Sequence, residues 1–123
     1  MKIAVASDDG QTISAHFGRT RGFVVYEVEN KEVKEQEFRP NTFTGHARGL
    51  EHAGQHIERH GPVLAALADC AVVISHGMGR RMYDDLRGVG IESFITDEIE
   101  ARAAVEAYLS GELVDRPERG CRH

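Results

Sequence analysis

With 123 residues, 41% of them hydrophobic and 28% charged, the chain has the composition of a water-soluble domain and the length of a single one; a chain this long buries roughly two-thirds of the surface its unfolded form exposes. The formal net charge of -5 excludes a sequence-independent nucleic-acid binder, which needs a basic stripe to neutralise phosphates and release counterions. There is no apolar run of membrane-spanning length, and the N-terminus Met1-Lys2-Ile3-Ala4-Val5-Ala6-Ser7 turns acidic at once instead of continuing into a secretory segment, so the expected setting is the cytoplasm with no membrane partner.

Lys2 to Ser7 is a short apolar run closed by Asp8-Asp9-Gly10, which predicts a strand and then a turn. Gly22 to Glu29 and Glu32 to Phe38 flank Asn30-Lys31 and predict a hairpin. Its second strand alternates charge, as an edge strand does to discourage unwanted pairing. Over residues 41–61 no period emerges, because Gly45, Gly49 and Gly54 each weaken a helix by about 1 kcal/mol relative to alanine; the segment reads as a histidine-rich loop or a poor helix.

Pro62 to Ala68 suits a short helix with proline in its first turn, and Cys70 to Ser75 is a continuous apolar run typical of a strand covered on both faces, expected at the centre of the sheet. After His76-Gly77-Met78-Gly79 a helix with Met82, Leu86 and Val89 on one face leads to a strand over Ile91 to Ile95. Thr96 or Asp97 is expected to cap a last helix whose apolar surface comes from Ile99, Ala103, Val105, Ala107 and Leu109, with Gly111 as the stop. The order βββ, αβ, αβ, α predicts an α/β domain over 1–114, a mixed five-stranded sheet with helices on its faces. Residues 115–123 read as a solvated tail.

In open α/β sheets ligands bind beyond the carboxyl ends of the strands. Two loops qualify, Asp8 to Arg19 and Ser75 to Arg81, and if their strands are parallel neighbours His16 and His76 converge. Gly77 and Gly79 allow close backbone approach, and the following helix start with Arg80 and Arg81 favours an anion such as sulfide, molybdate or phosphate; the plain alternative is a tight strand-to-helix turn.

His52, His56 and His60 recur every fourth residue, so a helix would place them on one face able to chelate a single divalent or copper(I) ion, with His46 upstream as a further nitrogen; a solvated polar face is the plain alternative. Cys70 reads as a small buried hydrophobe, and Cys121 sits apart on the tail. The sequence lacks GxSxG, Walker A, HExxH and dinucleotide GxGxxG patterns. Asp8 and Asp9 end the first strand where a two-metal nuclease would place a carboxylate, but Cys70 to Ser75 contains no partner acid, so no enzymatic activity is expected.

The opening MKIAVASDDGQTISAHFGRTRGFVVYEVE, with its Ser-x-His-Phe-Gly loop between two strands, and the later stretch LADCAVVISHGMGRRMYDDLRGVGIESFITDEIEARAAVEAYLSGELV resemble the dinitrogenase iron-molybdenum cofactor biosynthesis family, the group of NifX and the NifB C-terminal domain. The resemblance implies a ribonuclease H-like fold without nuclease function. It also implies a role in binding or carrying an iron-molybdenum cofactor, its precursor, or a molybdenum-copper sulfide cluster, with cluster donor or acceptor proteins as partners. Carried onto this chain, the loop is His16-Phe17-Gly18 and the glycine turn is Gly77-Met78-Gly79 with Arg80. From the residues themselves, His16 and His76 near the glycine turn are the candidate metal ligands, and His46, His52, His56 and His60 are additional ligands or a lid. A cluster that brings its own sulfide needs few protein thiolates, which suits a chain with two cysteines. The alternative from another class is a metal- or anion-responsive module that regulates a partner protein.

Overall fold

The computed structural model describes residues 1–15, 17, 20–40, 64, 66–78 and 80–115. Among these are five strands, β1 (Lys2–Ser7), β2 (Gly22–Glu29), β3 (Glu32–Pro40), β4 (Val72–Ser75) and β5 (Glu92–Ile95), and two helices, α1 (Arg80–Gly88) and α2 (Ala101–Leu109). The strands form one mixed sheet in the order β3-β2-β1-β4-β5. β1 pairs antiparallel with β2 and parallel with β4, and β4 pairs parallel with β5. The middle position thus belongs to β1 and not, as the apolar run had suggested, to β4, which is nonetheless buried at all four residues between β1 and β5.

The meander follows from local chemistry. Asn30 and Lys31 form a two-residue hairpin loop with φ of 53° and 66°, the positive values that match the right-handed twist of the strands they join. β3 lies at the edge and runs to Pro40, two residues past the expected end. Proline suits that place because its missing N–H removes no ladder bond from an interior pair.

Strand alternation sorts the core onto two faces. Ala4, Ala6, Phe23, Val25 and Val73 pack with Met82, Tyr83 and Leu86 of α1 on one side. Ile3, Val5, Val24, Tyr26, Val72 and Ile74 pack with Ala101, Ala104 and Val105 of α2 on the other. One helix therefore covers each face of the sheet.

Each helix ends in a paired hydrogen-bond pattern around a left-handed glycine. Ile91 donates its N–H to Leu86 O at 2.9 Å and Gly90 (φ 87°) to Arg87 O at 3.1 Å. Glu112 donates to Ala107 O at 2.8 Å and Gly111 (φ 81°) to Tyr108 O at 3.0 Å. Both are Schellman closures, which satisfy carbonyls left over at the helix end.

Several expectations are corrected. Val89 is 57% exposed because α1 has already closed at Gly88. Ile99 is 63% exposed because it precedes α2, whose N-cap is Glu100 with no side-chain cap bond and not Thr96 or Asp97. α2 buries Ala101, Ala104 and Val105, while Ala103, Ala107 and Leu109 are only half-buried. Asp115, assigned to a solvated tail, is half-buried: its carboxylate accepts the Ile95 N–H at 2.9 Å and the Tyr83 hydroxyl at 2.5 Å, covering an outward N–H of edge strand β5. Leu64 and Ala66 have helical backbone, as expected for the segment before β4.

Candidate functional site

Three loops leave the carboxyl ends of β1, β4 and β5 on the same side of the sheet, because those strands are mutually parallel. The loop after β1 is shaped by its two aspartates. Asp9 accepts the backbone N–H groups of Thr12 at 2.7 Å and Gln11 at 2.8 Å and the Thr12 hydroxyl at 2.9 Å. These donors pull its carboxyl down to about 2, the Thr12 and Gln11 N–H groups acting most strongly. Asp8 accepts the Arg21 N–H at 2.9 Å. Asp9 therefore organises a local turn in the manner of an Asx motif, while Asp8 ties the start of the loop to its far end before β2.

Farther on, this loop is bound to the segment before α2. Ile13 donates its N–H to Ile99 O and Ala101 donates to Gln11 O, each at 2.8 Å, and Thr12 bridges to Glu100. Ser14 donates back to Ala6 O at 2.8 Å, which brings the chain round to Phe17. The Phe17 ring is 2% exposed, 5.2 Å from the ring of Phe23.

The loops after β1 and β4 meet directly. Phe17 donates its N–H to Gly77 O at 2.9 Å, and Phe17 and Met78 share one buried cluster. The loops after β4 and β5 meet through His76, whose Nε2 is hydrogen-bonded to Glu98 O. A carbonyl only accepts, so Nε2 carries the proton, and in the neutral ring Nδ1 holds the lone pair. That is the arrangement in which imidazoles serve as metal ligands, one nitrogen fixed by a carbonyl and the other free to coordinate.

Met78 is buried, its sulfur accepting the Ser93 hydroxyl at 3.6 Å. Arg80, expected to help cradle an anion, is instead 86% exposed at its side chain and paired with Asp84 one helical turn on, at 3.5 Å. Cys70 is buried, and desolvation, then the nearby Asp69 charge, pushes its thiol up to about 12, so it behaves as the small hydrophobe expected.

Of the candidate residues, Phe17, His76, Gly77 and Met78 come together at this loop junction. His16, Gly18, Gly79, His46, His52, His56, His60 and Cys121 lie outside the described residues. Among the described residues no group of three or more histidines, cysteines or acids could hold a metal ion. Among the described residues the junction offers one oriented imidazole and backbone groups, with the Met78 sulfur buried beside them, a set that fits a cluster arriving with its own sulfide better than a bare cation needing several protein ligands.

Sequence reasoning missed Ser75, the last residue of β4. It is fully buried, and among the described residues its hydroxyl has no hydrogen-bond partner. The signal available was a hydroxyl closing an otherwise apolar run, VVIS. A separate depression of about 340 Å³ lies toward β2 and β3, lined by Asp8, Asp9, Val24, Gln36, Glu37 and Phe38. Its carboxylates disfavour an anionic ligand, and it includes neither His76 nor Gly77.

A mixed α/β domain with three interlocked loops at the ends of parallel strands has the architecture in which open sheets of this class place their ligand sites. The chain belongs to the dinitrogenase iron-molybdenum cofactor family, whose model matches residues 1–111. It is 33% identical to protein NifX of Rhodobacter capsulatus over 82 residues, a match covering 64% of this chain and about half (48%) of NifX. It is 26% identical over 113 residues to an uncharacterized protein of Methanocaldococcus jannaschii, covering 92% of this chain and 89% of that one. Among solved structures it superposes on PH0822 with a TM-score of 0.70 at 26% identity, covering 94% of each chain. On the apo form of the orange protein of Desulfovibrio gigas the TM-score is 0.67 at 24% identity, covering 94% of this chain and 92% of that one, a likeness of fold. Among the described residues no helix is long and apolar enough to cross a membrane.

Proposed function

We propose that this protein binds a preassembled metal-sulfide cluster or cofactor precursor at the junction of the three strand-end loops and passes it between donor and acceptor proteins in the cytoplasm. The cargo is of iron-molybdenum or molybdenum-copper sulfide type, and the protein does no chemistry of its own on it. The observation that carries this reading is the joining of the loops by Phe17 to Gly77 and by His76 to Glu98 in a chain of the iron-molybdenum cofactor family. His76 Nδ1 then offers a ligand to a metal at the cluster edge, while Phe17 and Met78 supply an apolar, polarisable wall.

Asp8 and Asp9 support a role without catalysis, since the β1 loop uses both to hold its own backbone. The ribonuclease H-like grouping belongs to the same proposal, supported by an antiparallel meander to which two parallel strands are added. The four histidines of residues 46–60 are assigned to additional ligation or to a single divalent ion.

The test is anaerobic incubation with tetrathiomolybdate plus iron(II) or copper(I), followed by gel filtration and metal and sulfide analysis. Molybdenum and sulfide eluting with the protein support the proposal. Protein that emerges metal-free from both incubations contradicts it and favours the regulatory-module reading.

A further inference from the structure

Ser75 occupies a singular place at the proposed site. Among the described residues it has the one buried side-chain polar atom without a hydrogen-bond partner, and it is 0% exposed. Its neighbours at this end of the sheet are satisfied. The Ser7 hydroxyl accepts the Gly10 N–H at 2.8 Å, Thr20 donates to Gly22 O at 3.0 Å, Thr96 accepts the Glu98 N–H at 3.1 Å, and Ser93 donates to the Met78 sulfur at 3.6 Å. Buried hydroxyls ordinarily find partners, and an orphan disfavours the folded state. Alanine would fill the same strand position without that penalty.

The orphan is also well placed. Ser75 is the last residue of β4, one residue before His76 and two before Gly77. Its backbone is committed, the carbonyl accepting the Thr96 N–H at 2.9 Å. By strand alternation its side chain shares a face with Val73, the face on which Phe17, Met78 and Ile95 pack. Phe17 and Met78 belong to the two loops that the Phe17 to Gly77 hydrogen bond holds together. Ser75 is 0% exposed, so a ligand reaches its hydroxyl only when neighbouring groups move.

We propose that Ser75 is a cargo-contacting residue, whose hydroxyl donates a hydrogen bond to a sulfide or oxo ligand of a thiometallate when the Phe17 and Gly77 loops part. This rests on the binding function proposed above and names a residue of that site. An O–H donor suits an anionic chalcogenide, adds no charge, and leaves metal coordination to His76 Nδ1.

The experiment compares wild type with Ser75→Ala. Thermal unfolding of the cargo-free proteins is measured alongside the dissociation constant for tetrathiomolybdate plus copper(I) under anaerobic conditions. The expected result is a higher unfolding midpoint for Ser75→Ala together with about tenfold or greater loss of affinity, the scale of one hydrogen bond to a charged group. Equal affinity in the two proteins overturns the Ser75 inference and leaves the binding function standing. A lower midpoint in Ser75→Ala also overturns it, since the hydroxyl would then have a structural partner such as a buried water. Binding by neither protein overturns the binding function and this inference with it.

Discussion

Phe17 donates its backbone N–H to the carbonyl of Gly77 at 2.9 Å, across two loops sixty residues apart in sequence. The parallel pairing of Ile3, Ala4 and Val5 with Val72, Val73 and Ile74 is what brings those loops to one edge. The bond is a tertiary one, so the Phe17 amide should be protected in hydrogen exchange although it lies outside any strand. Truncating the ring, which packs 5.2 Å from Phe23, removes buried aromatic volume. Phe17→Ala should cost about 3–5 kcal/mol in urea unfolding. Free exchange of the Phe17 amide, or a loss below about 1 kcal/mol, would show the loops to be independent.

The Arg39 guanidinium donates to both carboxylate oxygens of Asp69, each bond 2.9 Å, and to Ala66 O at 3.0 Å, tying edge strand β3 to the turn before β4. Those donors, with Lys2 beside them, hold the Asp69 carboxyl well below the usual carboxylate range. A depressed folded-state value means that the pair stabilises the protein above the unfolded value near 3.8 and loses that effect as pH falls below it. Asp69 is half exposed (48%), so solvent reduces the pair to about 1 kcal/mol. Asp69→Asn should therefore destabilise by about that amount at neutral pH, and the difference should shrink as the solution is acidified below the unfolded value. A difference constant across acidification would mean that the charge is irrelevant.

Asp9 titrates by the same logic in a different place. Its carboxyl, drawn down to about 2 by the Thr12 and Gln11 N–H groups, should show a carbon-13 titration midpoint near that value. A midpoint at the ordinary 3.8 would mean that the loop after β1 does not hold its shape in solution.

The Cys70 thiol, pushed up to about 12 by burial and by the Asp69 charge, is almost wholly protonated at neutral pH. In a Cys121→Ser background, native protein should react with a thiol reagent only after denaturant is added. Rapid labelling of the native protein would place Cys70 at an accessible surface and reopen it as a ligand.

Much of the architecture was legible because it rests on local signals. The apolar run of β1, the Asn30-Lys31 hairpin and the continuous burial of β4 each follow from residue type over a short window. α2 was harder to read: alanines at 101, 103, 104 and 107 make several faces equally apolar, so periodicity assigned burial to Ile99, which lies before the helix. Asp115 was misread because its partners, Ile95 and Tyr83, lie 20 and 32 residues away. The site was legible in its loops but not in its wiring. The bond from His76 to Glu98 and the orphaned hydroxyl of Ser75 exist only once β4 and β5 are side by side.

The most direct test of the account is where the cargo sits. Wild type, His76→Ala and a His52→Ala, His56→Ala, His60→Ala triple variant would be incubated anaerobically with tetrathiomolybdate plus copper(I), and bound molybdenum, copper and sulfide measured after gel filtration. The account predicts retention by wild type and by the triple variant, and loss in His76→Ala. Retention by His76→Ala with loss in the triple variant would contradict it and move the site away from the strand-end loops to the histidine-rich segment.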